Sequence, residues 1–229
     1  MRLPDGRVRK LRRSSDDATA AHALTFSCFR RLPFLSRERP CLWLIDALDR
    51  ARKRYALDVW AYVFMPNHVH LILWPRDEWH VRADGKHAHA EYRESMPPNR
   101  ESMPPTFRVQ AVLAAIKLPV SRRAVAWVTR EAPAFLPKML DVQPNGTKTH
   151  RFWQRGGGYD RDLHDPGTIH TTIDYIHANP VRAGLVERPE DWRWSSAAYF
   201  AGTSAPPLAP DVDSIPSPPN HWRFQGCGR

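Results

Sequence analysis

The strongest constraint on the fold is a pair of apolar runs separated by a short turn. Residues 57–64 read LDVWAYVF, residues 68–74 read HVHLILW, and MPN precedes the second run. Both runs alternate and are rich in β-branched and aromatic residues, which favours strands over helices. A short connection between two such runs is typical of an antiparallel hairpin. We therefore predict a hairpin whose second strand begins with two alternating histidines, His68 and His70.

The other periodic segments place this hairpin in a mixed fold. Alternation predicts a strand over Ala23–Phe29, and apolar spacing predicts a helix over Cys41–Tyr55 with a basic end. Further segments are predicted to be a helix over 107–130 interrupted by Pro119, a strand entering the glycine-rich bend of HRFWQRGGGYDRDL, and a helix over 168–178. The order β-α-β-β-α-β-α predicts an α+β fold of the split βαβ type, with an antiparallel sheet and helices on one face.

Composition divides the chain into one domain with appendages. Residues 1–21 are arginine-rich without apolar periodicity and are predicted to be a basic flexible arm. Residues 22–200 form the predicted domain, inside which the hydrophilic segment 75–106, with its duplicated RESMPP, is predicted to be an inserted loop. Residues 201–229 are proline-rich and are predicted to be an irregular tail that wraps the surface or is disordered.

Charge and cysteine content narrow the functional classes. The 229 residues include 34 Lys and Arg against 24 Asp and Glu, a net charge of +10, which is typical of proteins that bind phosphate backbones but also occurs in basic soluble proteins. The three cysteines show no metal-binding spacing, which argues against a structural zinc knuckle and favours a reducing compartment. No apolar run is long enough for a membrane span. We expect a soluble, cytoplasmic protein that does not act in a membrane.

The two histidines are candidate metal ligands. Residues i and i+2 of a strand point to the same side, so His68 and His70 share one face while Val69 and Leu71 share the other. Two imidazoles held in this way can bind one divalent ion. The alternative is that an H-x-H pair has arisen by chance in a strand.

The helix IHTTIDYIHANP supplies a second group of candidates. Its isoleucines gather on one face, which is predicted to be buried, while Tyr175 and Asn179, four residues apart, share a flank. The alternative is that Tyr175 packs at the core margin and Asn179 only ends the helix before Pro180. His177 points elsewhere on the helix and is expected at the surface.

These residues suit one kind of chemistry. A tyrosine hydroxyl can attack phosphorus if a metal ion withdraws charge from the phosphate oxygens. Two imidazoles and one amide oxygen fill half of an octahedron and leave positions for phosphate and water. Such a site can cleave DNA and keep the bond energy in a phosphotyrosine ester.

Three segments carry a resemblance to a known family. PNHVH before an apolar strand, FWQRGGGYDRDL, and DYIHANPVRAGLVERPEDWRWSSAAY closely resemble the single-tyrosine transposases of the His-hydrophobe-His endonuclease superfamily. Among these, the chain looks most like the REP-associated tyrosine transposases, over residues 22–200. The combination of the histidine pair with a tyrosine four residues before Asn-Pro is more specific than either motif alone.

The resemblance implies a fold, an activity and roles for individual residues. It implies a ferredoxin-like fold with a central histidine strand, His68, His70 and Asn179 as metal ligands, and Tyr175 as the nucleophile. It also implies Mg²⁺ or Mn²⁺ as cofactor and single-stranded DNA beside an imperfect hairpin as substrate, nicked to leave a 5′-phosphotyrosine and a free 3′-OH. Monomers and homodimers are both consistent with it.

Other residues are candidates for DNA contact. Arg12 and Arg13 of the arm, with Arg151, Arg155 and Arg182, are expected to neutralise phosphates, and Trp153 is expected to stack on unpaired bases.

Two other functions remain open from the sequence. One is a non-catalytic module that binds single-stranded nucleic acid, and the other is a phosphoesterase that uses metal-bound water without a covalent intermediate. Substitution of Tyr175 separates the latter from a tyrosine-linked enzyme. Tyr159, after the three glycines, is a weaker candidate nucleophile.

Overall fold

A computed structural model describes residues 16–76 and 107–219 of the chain. Most of the predicted basic arm and of the predicted 75–106 loop lies outside the described residues. The strands are β1 (Ala21–Ser27), β2 (Leu57–Met65), β3 (His68–Pro75), β4 (Leu140–Val142), β5 (Lys148–His150) and β6 (Tyr159–Leu163). The helices are α1 (Glu38–Arg54), α2 (Val109–Glu131), α3 (Leu136–Met139), α4 (Pro166–His177), α5 (Asn179–Arg182) and α6 (Ala197–Phe200).

Four strands form the main sheet in the order β2-β3-β1-β6. Each neighbouring pair is antiparallel, and β2 and β3 are the predicted hairpin. This order, with α1 between β1 and β2 and α2 between β3 and β6, is that of the ferredoxin-like split βαβ fold. The predicted α+β class and the central position of the histidine strand are confirmed. The short strands β4 and β5 form a separate hairpin between α2 and β6.

The sheet is apolar on both faces. Side chains such as Tyr62, Phe64 and Leu71 belong to a core cluster shared with α1 and α2. On the opposite face, residues including Trp60 and Ile72 cluster with the isoleucines of α4. The prediction that the helices lie on one face of the sheet is therefore correct for α1 and α2. It is corrected for α4, which packs against the opposite face. The second apolar face of the hairpin needs its own cover, because exposing it to water would be costly.

The C-terminal segment covers the outer edge of β2. The Phe64 amide donates to the Trp194 carbonyl at 2.8 Å, and the Asp211 amide donates to the Val59 carbonyl at 2.9 Å. An uncovered edge strand would expose unpaired amides and carbonyls to other chains. The described part of the proline-rich tail therefore wraps the domain.

Two predicted elements differ from the observed ones. Helix α2 continues through Pro119, because its apolar side chains on both sides of the proline, including Ile116 and Val120, pack into the same core. The predicted strand before the glycines is short: the Phe29 amide bonds the Phe152 carbonyl, and the longer strand, β6, follows the bend. The positive φ angles of Gly156 and Gly158 interrupt the pairing with β1.

Gly158 provides a test of this bend. A Cβ atom there would lie 2.1 Å from the Thr25 carbonyl oxygen, whereas at Gly146, which also has a positive φ, it would meet nothing within 4 Å. Gly146→Ala should therefore lower the free energy of unfolding by about 1–2 kcal/mol, the usual cost of left-handed backbone. Gly158→Ala should cost clearly more, because Thr25 must also move. Urea unfolding of both variants checks this, and equal losses would contradict the close packing.

Candidate active site

The two predicted ligands lie on one face of the central strand β3. Val69 and Leu71 point into the core shared with α1 and α2, so His68 and His70 point to the opposite face. Ile72, on the same side as the histidines, packs in the cluster that contains the α4 isoleucines. The structure thus confirms the alternation and puts the histidines on the face covered by the tyrosine helix.

The two imidazoles converge through their Nε2 atoms, which are 3.0 Å apart. The other ring nitrogen of each histidine has an oxygen partner: His68 Nδ1 lies 2.6 Å from Asn67 Oδ1, and His70 Nδ1 lies 2.8 Å from Thr25 Oγ1. Because Thr25 pairs with His70 across β1 and β3, the sheet register sets the second contact. Partners of this kind fix ring orientation in metal sites.

The side chains of Asn67, His68, His70 and Thr25 form a consistent chain of hydrogen bonds. Asn67 Oδ1 is an acceptor, so His68 Nδ1 carries the proton and His68 Nε2 has a free lone pair. His70 can donate from Nε2 to that lone pair if the Thr25 hydroxyl donates to its Nδ1. A hydroxyl can also accept, so His70 can instead carry its proton on Nδ1 and free its Nε2 as well. Threonine at position 25 thus supports both tautomers.

The surroundings keep both imidazoles neutral. Burial, assisted by the positive charge of Arg31, lowers the pKa of His68. Burial, assisted by His68, lowers the pKa of His70 to about 4. Neutral imidazole is the form that binds a metal ion.

Tyr175 lies on the exposed flank of α4 with 54% of its surface accessible. Arg182 covers its ring, with Cζ 4.5 Å from the ring centroid, and donates from Nη1 to the Tyr175 carbonyl at 3.2 Å. The structure therefore brings together one predicted DNA contact and the predicted nucleophile. A guanidinium in this position is suited to hold a phosphate near the phenol.

His177 anchors the C-terminal end of α4 to the segment that covers the outer edge of β2. It is buried, with 6% exposure, and its Nε2 lies 2.8 Å from Ser196 Oγ. The Ser196 amide in turn donates to the Tyr62 carbonyl on β2, next to Val63, which pairs with His70. The expectation of a surface position is corrected, because this side chain faces the C-terminal segment that covers β2. The end of α4 is therefore tied through Ser196 to the part of β2 that pairs with His70.

Asn179 begins α5 directly after this point. Its Nδ2 donates to the Ile176 carbonyl at 3.2 Å, so the side chain caps the end of α4. This is the structural role considered from the sequence. Its amide oxygen is not used by that bond.

The predicted DNA contacts other than Arg182 separate into three groups. Trp153 is buried, at 5% exposure, against Phe26 and donates from Nε1 to the Lys117 carbonyl. Its ring is a core aromatic and is not available for base stacking, which corrects that expectation. Arg151 and Arg155 both bind Asp141, the latter at 3.1 Å, and the Arg151 hydrogen bond leads in holding the pKa of Asp141 below its usual value. Arg12 and Arg13 lie outside the described residues.

Sequence reasoning missed Arg31. This exposed residue lies close enough to lower the pKa of His68, and both Arg30 and Arg31 adopt left-handed backbone with φ near 53° and 54°. Such backbone costs about 1–2 kcal/mol per residue and is concentrated at functional sites. Adjacent arginines were visible in the sequence, but their conformation was not.

A second histidine cluster lies on the other side of the sheet. His22 is fully buried, 3.3 Å from an oxygen of Asp160 and 3.4 Å from one of Asp162, and it stacks near Phe107. Among the described residues, His22 with these aspartates, and Asp17 with Asp162 and His164, are grouped closely enough to hold a metal ion. Although burial opposes it, the bond with Asp160 and the nearby carboxylates raise the pKa of His22. The contacts of His22 with Asp160 and Asp162, which join β1 to β6, account for the first group.

Comparisons with known proteins give a fold. No family model and no curated protein sequence matches the chain. The structure of a REP-associated tyrosine transposase bound to a REP hairpin matches with a TM-score of 0.51 and 17% identity, over 90% of this chain and 93% of that one. A structure of a Deinococcus radiodurans R1 protein named as a transposase matches at a TM-score of 0.34 and 16% identity, over 87% and 98% of the two chains. The similarity to the REP-associated tyrosine transposase structure supports a common fold for that protein and this chain.

Within residues 16–76 and 107–219, none of the helices combines the length and apolarity that a membrane span requires.

The buried histidines predict an acid-sensitive fold. Burial lowers the pKa of His177 to about 3 from 6.5, so between these values the unfolded chain takes up a proton that the folded chain does not. The free energy of unfolding should therefore fall as pH decreases from 6.5, and His70 adds to this loss down to about pH 4. His177→Gln should flatten this dependence in chemical denaturation between pH 7 and 4, and an unchanged slope would contradict the assignment.

His22 provides a control of opposite sign. Its pKa is raised, so its stabilisation is fully present below pH 6.5 and is lost as pH rises through the folded-state value. His22→Gln should therefore reduce stability more at pH 6 than at pH 9.

Proposed function

We propose that this protein is a divalent-metal-dependent DNA endonuclease and strand transferase that acts on single-stranded DNA at hairpin elements of the REP type. In this proposal it is a single-tyrosine transposase in which His68, His70 and Asn179 hold the metal and Tyr175 is the nucleophile. The observation that carries the proposal is the convergence of the two Nε2 atoms on the sheet face that also receives the tyrosine helix. The fold shared with a transposase bound to a REP hairpin supports the choice of substrate.

The histidine geometry fits a metal ion. Two neighbouring ligands of an octahedral ion, each about 2.1 Å from it, are about 3.0 Å apart. The Nε2 atoms of His68 and His70 have this separation, and Asn67 and Thr25 occupy their other nitrogens. The Asn179 side chain supplies an amide oxygen of the kind that Mg²⁺ and Mn²⁺ accept. When bound, the ion withdraws charge from the phosphate oxygens.

The protein's own residues position the reactants. Arg182 lies over the Tyr175 ring, and the positive charge of Arg31 acts on His68, so a cation accompanies both the proposed nucleophile and a proposed metal ligand. Tyr175 Oη forms a bond to phosphorus as the bond from phosphorus to the 3′ oxygen breaks. The phenol loses its proton and the leaving 3′ oxygen gains one, which leaves a 5′-phosphotyrosine and a 3′-OH. Attack by a 3′-OH reverses these changes and rejoins the strands.

The covalent intermediate gives the most direct test. Wild-type protein incubated with Mn²⁺ and a labelled single-stranded hairpin oligonucleotide should form a protein–DNA adduct that survives denaturing electrophoresis. Tyr175→Phe should reduce the adduct to background, because the phenylalanine ring keeps the packing under Arg182 but has no nucleophile.

Tyr159→Phe is the matched control for the adduct. Tyr159 lies on β6 opposite Thr25, in the same cross-strand row as His70, and should leave adduct formation intact. An adduct that persists in Tyr175→Phe and disappears in Tyr159→Phe would move the nucleophile to Tyr159. Metal-dependent cleavage by Tyr175→Phe without any adduct would instead indicate a phosphoesterase that uses water.

The metal site can be tested without DNA. His70→Ala should abolish Mn²⁺ binding measured by titration calorimetry. Thr25→Val, which keeps the shape of the side chain but removes its hydroxyl, should weaken binding about 10–100-fold, as loss of a partner of a ligating histidine does elsewhere. Thr129→Val is the control, since the Thr129 hydroxyl bonds only the exposed backbone of its own helix at Val125. Equal effects of both threonine variants would contradict the role of Thr25.

DNA binding that is unaffected by chelators and by His68→Ala, without cleavage, would favour the non-catalytic binding module.

A further inference from the structure

A large apolar groove lies on the α1/α2 face, away from the histidine side of the sheet. Its volume is about 710 Å³, and it is bounded by residues 32–43, the C-terminal part of α2 and the segment around α3. Cavities of about 300–1,000 Å³ are typical of small-molecule and cofactor sites. The proposed tyrosine chemistry does not use this groove.

The groove combines aromatic rings with positive charge. Trp43, Trp127 and Phe135 are among its lining residues, and so are Arg39 and Lys138. None of the lining residues that the structure describes is acidic. An apolar aromatic surface whose charged lining residues are all cations is complementary to a ligand that joins a flat ring to an anion.

The cations lie directly over the rings. Arg39 Cζ is 4.8 Å from the ring centroid of Trp127, and Lys138 Nζ is 5.1 Å from that of Phe135. Both cations are on exposed residues, and both tryptophans are only partly buried. Aromatic platforms next to a basic track are the usual means of holding unpaired bases.

The groove is joined to the turn that precedes the histidines. The Leu35 amide donates to the Pro66 carbonyl at 2.9 Å, and the Cys28 amide donates to the Asn67 carbonyl at 2.8 Å. The loop between Cys28 and Leu35 therefore borders the groove through Phe34 while it contacts the residues next to His68. A strand held at the histidines can continue along this basic loop towards the groove.

We propose that this groove binds an unpaired nucleotide of the single-stranded DNA, with the base stacked on the rings of Trp127 and Phe135 and the phosphate near Arg39 and Lys138. The ligand class rests on the proposed function, but binding in the groove needs neither the metal nor Tyr175. The net charge of +10 favours the same polyanionic partner.

Photocrosslinking locates the bound base. Tyr175→Phe protein in EDTA is irradiated with single-stranded oligonucleotides that carry 5-iododeoxyuridine at successive positions, and the crosslinked peptides are identified by mass spectrometry. At least one position should crosslink to a peptide containing Trp43, Trp127 or Phe135. Crosslinks that map only to other peptides would overturn the proposal.

Two kinds of variant separate stacking from charge. Trp127→Leu should weaken oligonucleotide binding about 5–100-fold with an unchanged salt dependence, because stacking on an aromatic side chain is lost. Arg39→Gln combined with Lys138→Gln should reduce the slope of log affinity against log salt by about 1.4, the value for two contacts to single-stranded phosphates. These two side chains are exposed, so this variant remains informative if Trp127→Leu does not fold.

Arg122→Gln is the matched control. Arg122 is exposed on α2 but does not line the groove, so its loss should change the affinity less than twofold. An equal effect of Arg122→Gln and the double variant would show a general charge effect and overturn the proposal. Groove-dependent binding to anionic phospholipid vesicles without any DNA crosslink there would overturn it in favour of a membrane ligand.

The outcomes also separate this proposal from the proposed function. Crosslinks in the groove without a wild-type covalent adduct would support the groove and contradict the transposase chemistry. A wild-type covalent adduct together with crosslinks only outside the groove would support the transposase chemistry and contradict nucleotide binding in the groove.

Discussion

The structure depends on a hairpin that is apolar on both faces. The nine residues of β2 are all buried, and all of them except Asp58 divide between two core clusters. Helices α1 and α2 pack against one face of the hairpin. On the other face, exposure of Trp60, Val63 and Ile72 to water would be unfavourable, so that face must also be covered. Helix α4 supplies that cover with Ile169, Ile173 and Ile176. Packing that stabilises the sheet thus also brings the tyrosine helix to the histidine face.

The candidate site uses the same sheet as its scaffold. Thr25 reaches His70 because β1 and β3 pair in one register, and a shift by one residue would turn either side chain to the other face. On the other side of β1, Gly158 approaches the Thr25 backbone without room for a Cβ atom. A ligand held by rigid strands and a hydroxyl partner is better positioned than one on a loop. The glycine-rich bend is therefore a structural support of the site.

The local patterns predicted well where one residue's environment follows from its neighbours in sequence. Alternation placed His68 and His70 on one side of β3, and helical spacing separated Tyr175 from the buried isoleucines. Prediction failed where burial depended on distant segments. Trp153 is covered by Phe26, and His177 is covered by the segment around Ser196. The left-handed backbone of Arg31 could not be predicted from its residue type either, because arginine has no preference for that conformation.

The sequence by itself determined the main elements, their order and the candidate chemistry, because periodicity and residue type act over a few neighbouring positions. It also carried the resemblance from which the roles of Tyr175 and Asn179 were proposed. Only the tertiary structure decided that α4 lies on the histidine face and that the Nε2 atoms of His68 and His70 converge to 3.0 Å. It alone also decided that a groove lined by aromatic rings and cations adjoins the turn before His68. These features depend on sheet register and on packing between segments far apart in the chain, which no local pattern specifies.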